Sequence, residues 1–102
     1  MAIQKLDAKT KFNALSNAIH IFALKEENKV FQLIAVVNGE EDTKAVAVDK
    51  ETGEIFGIFT NSKSAKSALN DVFNCFGEDQ PFITMHVKET KKGQSVYYAE
   101  VE

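Results

Sequence analysis

Apolar positions recur along this chain in two rhythms, and the switch between them marks its elements. Between residues 62 and 76 (SKSAKSALNDVFNCF) they fall at Ala65, Ala68, Leu69, Val72, Phe73 and Phe76. That three-and-four spacing lines one face of a helix of about four turns. The opposite face carries Lys63, Lys66, Ser67, Asn70, Asp71 and Asn74. Thr60, Asn61 and Ser62 are all competent caps, Gly77 stands where a residue of positive φ ends a helix, and Pro81 follows soon after. A single helix of this length does not bury its apolar face alone. The spacing therefore predicts a helix laid on, or plugged into, a sheet.

The rest of the chain reads as strands. Residues 18–24 (AIHIFAL) and 30–37 (VFQLIAVV) are strand-like, the second apolar enough to be buried on both faces for part of its length. Asn38-Gly39 is a turn signal, followed by the acidic run Glu40, Glu41 and Asp42. Residues 43–49 form a third strand with Val46 and Val48 on one face, and the KETG turn at 50–53 leads to a fourth at 54–60. After the helix, residues 82–89 alternate with Ile83, Met85 and Val87 on one side, TKKG at 90–93 turns the chain, and 94–101 closes a hairpin. For residues 1–17 the pattern fits both an extended arm and a short helix over 8–17 capped by Asp7, with Phe12 and Leu15 apolar. Strands, one helix and a final hairpin predict a single all-β domain over 1–102, not an alternating parallel α/β sheet.

Composition changes this picture little. The 102 residues suffice for one modest core, and no run nears the roughly 20 apolar residues needed to span a bilayer. The N-terminal stretch lacks the apolar segment of a signal peptide, so a cytoplasmic protein with no membrane contact is expected. Cys75 is the only cysteine, which rules out an internal disulfide and a cysteine-rich zinc site, and it reads as a structural thiol at the edge of the helix's apolar face.

Candidate chemistry favours binding over catalysis. His20 and His86 each stand alone in a strand with no partner at metal-ligand spacing, so no metal or cofactor is expected. Asp49, Glu51 and Glu54 flank a turn, Gly53 and Gly57 make no phosphate loop, and Ser62, Ser64 and Ser67 have no adjacent base. The chain is expected not to be an enzyme. Net charge is −3, yet every one of the 12 basic residues is Lys, and these gather at 5–11, 63–66 and 88–92. An acidic chain of this kind still presents a basic groove when its charges segregate. Single-stranded nucleic acid is held by aromatic rings on bases and by Lys on phosphates. The candidate rings are Phe31, Phe56 and Tyr98, and the candidate phosphate ligands are Lys29, Lys44, Lys88, Lys91 and Lys92. Strand periodicity puts Tyr97 opposite Tyr98, and Phe56 opposite Phe59, so one ring of each pair faces out. The helix start carries Lys63 and Lys66 without an acidic residue, a positive corner that ranks lower as a phosphate site.

The segment TGEIFGIFTNSKSAKSALNDVFNCF followed by FITMHVKETKKGQSVYYAEV resembles the single-stranded DNA-binding proteins of small phages and mobile elements of Gram-positive bacteria. The matching residues are Gly53 to Phe56, Ala65 to Phe73, Phe82 to Val87, Lys92-Gly93 and Val96 to Tyr98, and the likeness covers the C-terminal half only. It implies an OB-fold, a five- or six-stranded antiparallel barrel with one helix before the last hairpin. It also implies sequence-independent coating of single-stranded DNA in phage or plasmid replication or recombination, with a homo-oligomer and a replication protein among the partners. Two rivals stand beside it. One is a small protein-interaction module or inhibitor of a host protein, using the acidic loops at 40–42 and 49–54. The other is an enzyme on an α+β sheet with a titrating His20 or His86.

Overall fold

The computed structural model describes residues 6–21 and 29–102. Its elements in chain order are helix α1 (Ala8–Ser16), strands β1 (Ile19–His20), β2 (Val30–Asn38), β3 (Thr43–Asp49) and β4 (Ile55–Thr60), helix α2 (Lys63–Phe76), a 3-10 turn at Gly77–Asp79, and strands β5 (Phe82–Glu89) and β6 (Ser95–Val101). The strands form one sheet in the order β1-β4-β3-β2-β5-β6, curled into a half-barrel.

Three expectations need correction. There are two helices among the described residues, not one: the short-helix reading of the N-terminal stretch holds, with Asp7 Oδ1 accepting from the Thr10 amide at 2.8 Å. The expected strand at 18–24 shortens to Ile19–His20, Ile21 already lies in a turn, and residues 22–24 lie outside the described residues. The sheet is also not wholly antiparallel, because β1 pairs parallel to β4 through Ile19 with Ile58 and His20 with Phe59. A parallel partner needs a long crossover, and the chain between β1 and β4 supplies one by making β2 and β3 first.

Strand β2 is the centre of the sheet. It pairs antiparallel with all of β3 and, through Val30–Gln32, with the start of β5. Its register slips between Leu33 and Ala35, so Ile34 is an extra residue. The bulge changes the phase of the strand. Phe31, Leu33 and Val36 point to one face, here called inner, while Ile34 and Ala35 both point to the outer face. Without the slip, Ala35 would share the inner face with Leu33 and Val36 the outer face with Ile34.

The inner face is covered by α2. Ala65, Leu69 and Val72 of the helix are buried against Phe31, Leu33, Ile83, Met85 and Tyr97. Burying side chains of this size contributes about 1.5–3 kcal/mol for each of the larger ones. The helix ends at Gly77, whose φ of +53° a residue with a Cβ adopts only under strain. Its polar face is not all solvated. Asn70 exchanges hydrogen bonds with Asn38 at the end of β2, and Lys66 Nζ donates to the Glu41 carbonyl at 2.6 Å.

The outer face has its own smaller core, Ile34, Val46 and Val48 beneath Ala14 of α1. The helix comes so close to β4 that a Cβ on Gly57 would stand 2.0 Å from the Ala14 carbonyl oxygen. No helix among the described residues is long and apolar enough to cross a membrane.

Candidate nucleic-acid interface

The helices cover different strands, and among the described residues no element covers the outer face of the β5–β6 hairpin. Its construction follows from alternation. In β5, Ile83, Met85 and Val87 go inward, so Thr84, His86 and Lys88 go outward; in β6, Tyr97 and Ala99 go inward, so Val96, Tyr98 and Glu100 go outward. The turn that joins them is closed by the Thr90 amide to the Gln94 carbonyl and the Gly93 amide to the Thr90 carbonyl, with Gly93 at φ +77°.

The register sets His86 directly opposite Tyr98. Their rings are stacked, 5.1 Å between centroids and 27° between planes. His86 Nε2 also meets Glu100 Oε2 at 3.3 Å. Tyr98 as a residue remains 47% exposed. Lys88 stands opposite Val96, one step nearer the turn on the same face, and the turn carries Lys91 and Lys92, both exposed. Along about 10 Å of strand the hairpin therefore offers a flat aromatic surface and then a cluster of ammonium groups.

Of the residues singled out from the sequence, Tyr98, Lys88, Lys91 and Lys92 come together here. The others do not. Phe31 is 0% exposed, packed edge-on against Phe56 with centroids 5.9 Å apart. It has no free face for a base, and its assignment as a stacking ring is withdrawn; the central strand of a sheet with two covered faces buries its aromatics. Lys29 is held 3.2 Å from Asp49 Oδ2 and lies 5.5 Å from the Phe56 ring centroid. Phe56 is half-buried, and with Lys29, Asn13, Asn17 and Glu54 it lines a separate cleft of about 440 Å³ between α1 and β4. Lys44 pairs with Val37 at the end of β2 remote from β5.

Asp49 sits at the other end of β3, opposite Phe31, beside Lys29. Burial pushes its carboxyl upward, but the amides of Thr52 and Glu51 and the Lys29 ammonium outweigh it and hold the pKa below the ordinary value. Tyr97, the inward partner of Tyr98, has its hydroxyl pKa raised by burial.

Sequence reasoning left His86 as an ordinary strand residue. Its signal was present: counting back from the TKKG turn puts it across from Tyr98 on the polar side of both strands. No family model, curated protein or solved structure matches this chain.

Proposed function

We propose that this protein binds single-stranded DNA without sequence preference, through the outer face of the β5–β6 hairpin. One observation carries the reading: an exposed Tyr98 ring, flattened against His86, in line with Lys88 and the Lys91–Lys92 turn. Ring faces stack on any base, and Lys meets phosphate regardless of sequence. The topology supports it. An OB-fold runs as a three-stranded meander, a helix, and a hairpin whose first strand returns beside the first strand of the meander, and the order β2-β3-β4, α2 and β5-β6 is compatible with it. The loop of the last hairpin is one of two that hold oligonucleotides in OB proteins, and here that loop bears two of the lysines.

The test is anisotropy of a fluorescein-labelled oligo-dT of about 30 nucleotides at low and high salt, with duplex as control. Binding to the single strand over the duplex, weakening steeply with salt, is expected. Tyr98→Ala should weaken it by about 1–3 kcal/mol. Absence of binding at low salt, or a Tyr98→Ala variant that binds as the parent does, overturns the reading.

A further inference from the structure

A second surface lies on the other side of β6. The strand is the free edge of the sheet, pairing with β5 and, among the described residues, with nothing else. The Glu102 amide donates to the Phe82 carbonyl, so the even-numbered residues of β6 turn their backbone groups toward β5. The odd-numbered ones, Ser95, Tyr97, Ala99 and Val101, turn theirs outward. One of these is occupied: the Tyr97 amide donates to Ser64 Oγ of α2 at 2.8 Å. That bond holds the helix alongside the edge without closing it. Between them runs an open groove of about 370 Å³, floored by Ala68, Val72 and Ala99 and flanked by Ser67, Asp71 and Tyr98.

An edge of 7 residues would ordinarily be blunted by a Lys, a Pro or a bulge. β6 (SVYYAEV) has none of them. The charges at the groove are of one sign. Asp71 lines it with no ion pair among the described residues, Glu100 lies on the adjoining strand face, and no Lys lines the groove. A second copy of the same edge brings no basic residue from its own groove lining to receive Asp71, so self-pairing is the disfavoured occupant.

We infer that this groove takes an extended, basic segment of a partner protein, added to β6 as a further strand. The outward backbone groups of Ala99 and Val101 supply the ladder, Ala68 and Val72 receive an apolar side chain, and Asp71 receives a Lys or Arg two residues along. The inference does not rest on DNA binding: it uses the edge and the helix side of β6, and Tyr98 at the rim of the groove is the residue the two surfaces share.

The probe is a capped peptide of alternating Val and Lys with the length of β6, titrated into the 15N-labelled full chain and followed by amide shifts. An alternating Val/Glu peptide and a Val/Lys peptide with N-methylated amides are the controls. Saturable shifts confined to Ser95–Val101 and the 64–72 stretch of α2, produced by the first peptide alone, are expected. Ser67→Trp, an exposed position that would fill the groove, should weaken binding roughly tenfold or more, and Asp71→Lys should transfer the preference to the Val/Glu peptide. No saturable shift, equal response to both charges, response to the N-methylated peptide, shifts centred on His86 and Lys88, or shifts that follow protein concentration in place of peptide would each overturn it. Retained oligo-dT binding by Ser67→Trp separates this site from the one proposed for DNA.

Discussion

Asp49 concentrates three jobs on one side chain. Its Oδ1 accepts from the Glu51 and Thr52 amides at 2.8 and 3.2 Å, and its Oδ2 meets Lys29. The turn that follows then reaches Gly53 at φ +74°. All of these interactions favour the charged carboxylate, so its folded pKa lies below the ordinary value of 3.8. A depressed folded pKa means that its stabilisation is fully present above the unfolded value and is lost as pH falls through the folded one. Asp49→Asn should therefore be less stable than the parent at neutral pH, where it gives up the ion pair with Lys29 and the charge on the acceptor of the Glu51 and Thr52 amides. The gap should close as pH drops from about 5 to about 2. Urea midpoints across that range check it, and parallel curves for the two proteins would refute the account. At this scale the sequence was only partly legible. Alternation alone showed that Tyr97 and Tyr98 oppose each other, and the structure buries the first and exposes the second. The apolar run of residues 30–37 did announce burial on both faces, which argues against Phe31 as a stacking ring; what it could not show is which helix covers which face, because both helices lie elsewhere in the chain.

Among the elements, α2 was readable from spacing because one face of a helix repeats whatever it packs on. Its polar side was not, since Asn70 and Lys66 look like solvated residues until Asn38 and Glu41 are brought beside them. The bulge in β2 was hidden for a related reason: a continuous apolar run has no alternation to slip. β1 was overextended, because its pairing is with a strand more than 30 residues on, and local pattern carries no trace of it. The contact of α1 with β4 was equally invisible, although it rests on one residue. At Gly57 the helix backbone takes the space of a Cβ, with the Ala14 carbonyl carbon 2.7 Å and its oxygen 2.0 Å from where that atom would sit. Neither is the flexible end of a side chain, so the helix itself must retreat. Gly57→Ala should cost roughly 1–3 kcal/mol and should speed amide exchange across Ala8–Ser16 more than across α2. Unchanged exchange in α1 would mean that the helix is not held against Gly57.

For the whole molecule, the deciding feature is how its covers are distributed. α2 closes the inner face over β2, β5 and β6, α1 closes the outer face over β3 and β4, and no element among the described residues closes the outer face of the last hairpin. In OB proteins the face of the second and third strands is a usual oligonucleotide surface; under the OB reading proposed above, the corresponding face is that of β3–β4, which lies under α1. If DNA binds this chain, two surfaces thus compete for it, and net charge does not choose between them. Location does. The triple variant Lys88→Glu, Lys91→Glu, Lys92→Glu removes the positive groups of the hairpin, while Lys9→Glu, Lys11→Glu, Lys44→Glu removes those of α1 and the β3 face. Each exchange lowers the charge by two, so both variants move from −3 to −9 and repel DNA equally at long range. The hairpin variant should lose binding and, where binding is still measurable, flatten the dependence of log K on log salt by about two. The α1 and β3 variant should bind oligo-dT more weakly but keep the parent slope. Equal flattening in both would assign the interaction to the general field of the molecule, and flattening only in the second would place the DNA on the surface that α1 covers. Because the two proteins share one net charge, the comparison reads the position of the phosphates and not the repulsion of the chain.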